Sequence, residues 1–106
     1  MAKPAETIAF DKVTNLQLTK TVTMLRAITH PLRLKLIGYI DKNKEVNVNK
    51  IYSALNLEQS LTSQHLKILR QAGCVITRRK GKFIYYGVNY ELIKKILSLI
   101  ETYKIR

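Results

Sequence analysis

The sequence contains a single cysteine, Cys74, and only two histidines, His30 and His65. One cysteine excludes a disulfide within the chain and every zinc site that needs several thiolates. No apolar run approaches the roughly 18 residues that a membrane-spanning helix needs. Met1–Asp11 also lacks the apolar centre of a signal peptide. We therefore expect a cytoplasmic protein with no membrane partner.

Acidic residues are scarce as well. Seven Asp and Glu stand against 19 Lys and Arg, which gives a formal net charge of +12 over 106 residues. The segment 60–106 carries most of the excess, with ten basic and two acidic residues. A chain of this length and 46% hydrophobic content forms one domain with a packed core. The charge makes a polyanion the first partner to consider.

Apolar residues at helical spacing predict four helices in the first two thirds of the chain. The first spans about Leu16–Ile28, and the second follows Pro31, a residue suited to a first helical turn. Asn47 is placed to cap a short third helix. The fourth covers about Gln59–Ala72 and ends at Gly73.

The fourth helix is amphipathic. Leu66 and Leu69 are expected to face the core, with Leu61 or Thr62 a turn earlier. The opposite face is polar, with Gln59, Ser60, Ser63, Gln64 and Lys67. A short helix, a tight turn and a second helix form a helix-turn-helix unit. Such a polar face suits the major groove of duplex DNA, where base edges offer readable donors and acceptors.

The pattern then changes from helical to extended. Val75–Arg79 and Phe83–Val88 are rich in β-branched and aromatic residues, and Lys80–Lys82 separates them, which predicts a β-hairpin. The hairpin carries four cations, Arg78, Arg79, Lys80 and Lys82. Cations here suit the phosphates or the neighbouring minor groove, where they add affinity and orientation more than sequence choice. The predicted fold is mainly α with a small β-hairpin: a winged helix-turn-helix with five helices and a two-stranded wing.

Asn89 is suited to cap the fifth helix, whose apolar surface is too wide to pack on one side only. Either the domain wraps around this helix, or a second copy of the chain covers it. We expect a flexible arm at 1–11 and a single DNA-binding and dimerisation domain at 12–106.

Three segments, taken together and in order, resemble the ArsR/SmtB family of bacterial winged-helix repressors. They read LRAITHPLRLKLIGYI, LNLEQSLTSQHLKILRQAGCV and RRKGKFIYYGVN, and they lie within about Leu25–Val88. The resemblance implies a homodimer, a roughly two-fold symmetric operator in double-stranded DNA, and an inducer that the sequence does not identify. It implies that Ser60, Leu61, Ser63 and Gln64 face the DNA bases. It also implies that the four hairpin cations make the contacts between the wing and DNA. It implies dimerisation through the first and last helices, at Leu18, Val22, Leu92, Ile96, Leu97, Leu99, Ile100 and Tyr103.

The chain departs from the family pattern at three places. Glu58 stands where a serine usually caps the recognition helix. Asn47 and Asn49 stand where many members have metal-binding cysteines, and asparagine supplies no thiolate. Tyr90, Leu92, Tyr103 and Arg106 stand at the positions of the family's second metal site, and none is a plausible zinc ligand. We therefore predict no metal site and no cofactor.

Some alternatives remain open. Cys74 is either a small buried residue or a redox-sensitive thiol. His30 is either a helix cap or a packed side chain, and His65 has either a structural role or a contact with DNA. A winged helix that docks onto another protein and binds DNA weakly or not at all is the alternative to a transcriptional regulator. We expect no enzymatic activity, since the chain lacks a phosphate-cradling glycine motif and a recognisable nucleophile–base pair.

Overall fold

The computed structural model describes residues 9–103. The elements follow in the order α1 (Asn15–Ile28), α2 (Pro31–Asn43), β1 (Glu45–Asn47), α3 (Val48–Ala54), α4 (Gln59–Gln71), β2 (Val75–Lys80), β3 (Phe83–Val88) and α5 (Tyr90–Thr102). The predicted winged helix-turn-helix with five helices is confirmed. Most of the predicted arm lies outside the described residues, and its last two belong to a short, exposed 3-10 helix, Phe10–Lys12. No helix between residues 9 and 103 is long and apolar enough to cross a bilayer.

The sheet has one strand more than the sequence indicated. Its order is β1-β3-β2, and both pairings are antiparallel. The three residues of β1 pair with β3, with Glu45 opposite Gly87. Three residues are too few to show the alternation by which a strand is recognised. The β2–β3 hairpin is the predicted wing. β1 adds a third strand beside β3 and connects it along the chain to α2 and α3.

The turn between α3 and α4 depends on one residue in the left-handed conformation. Asn56 has φ of 53°, and its N–H donates to the Ser53 carbonyl over 3.3 Å. The N–H of Leu57 donates to the Tyr52 carbonyl over 2.8 Å. These two bonds satisfy carbonyls that the end of α3 leaves free, and they set the direction in which α4 begins.

The end of α4 repeats this arrangement with glycine. Gly73 has φ of 82°, its N–H donates to the Arg70 carbonyl, and the N–H of Cys74 donates to the Leu69 carbonyl over 2.9 Å. Glycine adopts this conformation without the steric cost of a Cβ. The chain therefore leaves α4 sharply and enters β2 beside the core.

The core lies between α2, α3, α4 and the base of the sheet. Its fully buried side chains are Leu36, Ile40, Ile51, Thr62, Leu66, Leu69 and Cys74. Thr62 rather than Leu61 faces inward, because the Thr62 hydroxyl donates to the Glu58 carbonyl over 2.8 Å and is satisfied there. Leu61 is left 40% exposed on the polar side of α4.

Candidate nucleic-acid interface

The helix-turn-helix unit presents one polar surface to solvent. All the predicted DNA-binding side chains of α4 are exposed: Gln59, Ser60, Leu61, Ser63, Gln64 and Lys67. Leu66 and Leu69, on the opposite side, have no exposed surface. The exposed side carries amide and hydroxyl groups, which can form hydrogen bonds with base edges. It also carries one aliphatic group, which suits contact with a thymine methyl.

Glu58 precedes α4 at the N-cap position, but its side chain does not cap the helix. Its carboxylate instead accepts a hydrogen bond from the Ser60 hydroxyl over 2.5 Å. The first turn of α4 thus lacks a side-chain acceptor for its free N–H groups. Ser60, expected at a base edge, is also engaged with a neighbouring carboxylate that lies near the expected path of the phosphates.

The wing projects beyond the core. Val75 at the start of β2 is 2% exposed, whereas every residue from Ile76 to Lys80 is exposed. The strands are joined by Gly81 and Lys82, with Lys80 paired to Phe83. Gly81 has φ of 60°, a conformation that glycine adopts readily at the first position of a two-residue hairpin turn. The basic segment is therefore held on a short, ordered ribbon.

The four predicted wing cations differ in their surroundings. The Arg78 guanidinium donates to Oε1 of Glu45 over 2.6 Å, and the Lys80 ammonium lies 3.6 Å from the same oxygen. The hydrogen bond from Arg78 lowers the pKa of the Glu45 carboxyl, because it stabilises the ionised form. Among residues 9–103, Arg79 and Lys82 form no ion pair. Their charges are the ones left fully available for a phosphate.

Glu45 is the residue at this interface that the sequence did not reveal. It lies on β1, 33 positions before Arg78, and only the pairing of β1 and β2 with β3 brings the two together. No local signal announces that contact, because β1 itself is too short to be predicted.

Both histidines have structural contacts. Nδ1 of His30 accepts the Leu32 N–H over 3.1 Å, which confirms the predicted cap of α2. Nδ1 of His65 accepts a hydrogen bond from Nε of Arg33 over 3.2 Å. The ring centroids of the two histidines are 4.8 Å apart. These contacts support the structural role considered for His65, which is half-buried on α4.

Cys74 has no exposed surface, and burial raises the pKa of its thiol. A thiol that is both buried and protonated reacts slowly, because the thiolate is the nucleophile. These properties support the role of a small core residue. Between residues 9 and 103, no three or more His, Cys, Asp or Glu side chains gather as metal ligands would. Arg106, at one of the second-site positions, lies outside the described residues.

The predicted dimerisation residues fall into two groups. Ile96 is 3% exposed and Leu92 is half-buried, so both mainly pack within their own protomer. The others have much free surface, between 44% and 76% exposed: Leu18, Val22, Leu97, Leu99, Ile100 and Tyr103. The described part of the chain thus covers only one side of α5.

Known proteins resemble this chain in sequence and in fold. The family model described as bacterial regulatory protein, arsR family, matches residues 30–77. The transcriptional repressor PagR of Bacillus anthracis is 37% identical over 84% of this chain and 89% of its own length. The transcriptional activator HlyU of Vibrio cholerae is 33% identical over 76% of this chain and 74% of its own length.

The crystal structure of PagR aligns with a TM-score of 0.69 and 33% identity, over 82% of this chain and 99% of the other. The matched region contains α3, α4 and their turn, which are the elements that expose the polar surface described above. The chain therefore belongs to the arsR family of bacterial regulatory proteins, which are DNA-binding transcriptional regulators.

Proposed function

We propose that the protein is a homodimeric transcriptional repressor that binds a roughly two-fold symmetric operator in the cytoplasm. In each protomer α4 reads base edges in the major groove, and the wing contacts the phosphate backbone. The observation that carries this proposal is the exposed polar face of α4 opposite its fully buried Leu66 and Leu69. The similarity to a protein named as a repressor supports repression as the direction of control.

The apolar surface of α5 supports the dimer. Its exposed residues adjoin a groove of about 420 Å³ between α2 and α5, which is lined mainly by apolar side chains such as Leu34, Ile93 and Leu97. The radius of gyration, 17.1 Å, exceeds the roughly 13 Å of a compact domain of this size. An elongated protomer with an uncovered apolar face gains stability when a second copy removes that face from water.

The proposal includes no metal sensing at the family's two sites. The asparagines Asn47 and Asn49 offer no thiolate, and the Asn47 side chain is occupied as the cap of α3, where it accepts the Lys50 N–H over 3.0 Å. A titration with Zn²⁺ against a labelled operator tests this point. Release of DNA at equimolar metal would show that ligands exist which the residues do not suggest.

Selection of bound duplexes from random DNA tests the main proposal. We expect an enriched sequence with two half-sites about one helical turn apart, and tight binding that weakens steeply as salt rises. Sedimentation at micromolar concentration should show a dimer. Failure to enrich any sequence, with weak affinity that hardly responds to salt, would instead favour a protein-docking role for the winged helix.

A further inference from the structure

The side chain of Arg33, on α2, joins three elements of the fold. Its Nη1 donates to the carbonyl oxygens of Arg26 and Ala27 at the end of α1, over 3.3 and 3.1 Å. Its Nε donates to Nδ1 of His65 on α4, over 3.2 Å. One guanidinium thereby connects the end of α1 to the helix that carries the polar face.

This hydrogen bond differs in kind from the apolar contacts that hold α4. Burial of Leu66 and Leu69 sets which side of α4 faces the core, but hydrophobic burial is non-directional and does not by itself fix the exact rotation of the helix about its axis. A hydrogen bond is directional. Within residues 9–103, the Arg33–His65 bond is the one side-chain hydrogen bond between α4 and another helix or strand. Rotation of α4 displaces Gln64, which lies one position before His65.

We propose that Arg33 and His65 are positioning residues that fix the rotation of α4, and that protonation of His65 releases this constraint. Acid would then weaken the discrimination between DNA sequences while leaving general affinity for DNA in place. The inference rests on the proposed function, because it concerns the helix to which we assign base reading.

The bond requires a neutral His65. Every polar hydrogen of the Arg33 guanidinium is a donor, and the group stays protonated at any pH of interest. Nδ1 of His65 must therefore hold a lone pair, which leaves the ring proton on Nε2. An imidazolium has hydrogens on both nitrogens and cannot accept. Protonation thus replaces an acceptor with a donor that faces a fixed positive charge.

The surroundings of the ring give no compensating negative charge. The groups close to it are Arg33 from α2 and His30 from the α1–α2 junction, while α1 contributes the carbonyl oxygens of Arg26 and Ala27 to the same cluster. Across residues 9–103, no carboxylate pairs with His30, Arg33 or His65. Burial first, and then the charges of His30 and Arg33, lower the pKa of His65.

The sign of the pH effect follows. Because the pKa of His65 is lower in the folded than in the unfolded chain, its contribution to stability is complete above the unfolded value of about 6.5. It is lost as the pH falls through the folded value. Acid therefore acts against the native position of α4.

The test compares affinity for a duplex selected from random DNA with affinity for a scrambled duplex of the same composition, at about pH 7.5 and at the lower pH at which the NMR signals of the ring show His65 to be protonated. The ratio removes the general attraction of any added positive charge, which affects both duplexes alike. For the wild-type chain we expect the ratio to fall about tenfold in acid, as for the loss of one hydrogen bond to a charged group. His65→Asn places an amide oxygen near the position of Nδ1 and does not titrate, so its ratio should be independent of pH. Arg33→Lys keeps the charge but loses the Nε donor, so its ratio should be low at both pH values.

Hydrogen exchange of the DNA-free protein gives a second measurement. Protection of the α4 amides, relative to those of α3, should fall in acid for the wild-type chain and not for His65→Asn. Equal changes in both proteins, or a ratio that does not vary with pH in the wild-type chain, would overturn the inference. If no protein distinguishes the two duplexes at either pH, the proposed function has failed instead, and exchange alone decides whether Arg33 holds α4.

Discussion

α4 and α5 have the same length, 13 residues each, but their exposed faces differ in polarity. Both bury a narrow apolar stripe in the same protomer, formed by Leu66 and Leu69 in one and by Ile93 and Ile96 in the other. The remaining surface of α4 consists mostly of amides, hydroxyls and cations, whereas that of α5 includes a broad apolar patch with Leu97 and Ile100 beside its charged residues. A helix is held in its fold by one stripe, and its partner is selected by the rest of its surface. The polar surface suits DNA and the apolar one suits a second copy of the chain.

The largest expected effect comes from making the exposed face of α5 resemble that of α4. Leu97→Glu places a charge at the proposed dimer interface, and we expect it to weaken the dimer by about 2–4 kcal/mol, as for a central interface residue. Sedimentation across a concentration series measures the change. Ser98→Glu introduces the same charge at the next, also exposed position, on the more polar side of α5, and should leave the dimer intact. A Leu97→Glu protein that remains as dimeric as Ser98→Glu would show that this face is not the interface.

The second prediction removes a reading group from α4. Gln64→Ala should reduce the preference for the selected site over random DNA by roughly 1–3 kcal/mol, as for a bidentate contact with adenine. Gln71→Ala makes the same chemical change at the other end of α4 and should alter neither affinity nor preference. Competition binding with the two duplexes measures both. An unchanged preference in Gln64→Ala would remove this residue from the reading surface.

The third prediction separates the two pairs of wing cations. Arg79→Ala with Lys82→Ala should weaken binding to all sequences alike. It should also reduce the slope of log affinity against log salt, by about one unit for each phosphate that the wing no longer neutralises. Arg78→Ala with Lys80→Ala removes the same charge, but part of it is already balanced by Glu45, so we expect a smaller change in slope. Equal slopes in the two double variants would show that Glu45 does not keep Arg78 and Lys80 from contacting phosphates in the complex.

The smallest effect concerns the beginning of α4. Glu58→Ser supplies a side-chain cap that the helix lacks and should raise stability by about 0.5–2 kcal/mol. The change also frees the Ser60 hydroxyl and removes a negative charge near the phosphates, so affinity for DNA should rise modestly. Glu58→Gln removes the charge without supplying an equivalent cap, and thermal melting of the two variants separates the effects. A Glu58→Ser protein no more stable than Glu58→Gln would contradict the assignment of a missing cap.

Much of the fold was predictable because its signals are local. Asn47 and His30 cap their helices as expected, and Gly73 ends α4 as expected. The hairpin was predicted because two runs of β-branched and aromatic residues flank a basic turn. In the proposed reading surface, the polar residues of α4 were identifiable because a helix places side chains three and four positions apart on one face.

The choice between Leu61 and Thr62 shows where local pattern fails. Both residues lie at a spacing compatible with the buried stripe, and hydropathy favours leucine. The structure buries Thr62, since the Glu58 carbonyl satisfies its hydroxyl, and it leaves Leu61 at the surface. Hydropathy alone carries no information on whether a buried hydroxyl has a partner.

The sequence by itself determined the large positive charge, which is a sum over the composition. It also determined the winged helix-turn-helix and the polar face of α4, because their signals lie in residues a few positions apart. Only the tertiary structure showed β1, the ion pair of Glu45 with the wing cation Arg78, and the connection from Arg33 to His65. The last two join residues 32 or 33 positions apart. Contacts of that kind depend on how the finished elements pack, and side-chain spacing along the chain does not encode them.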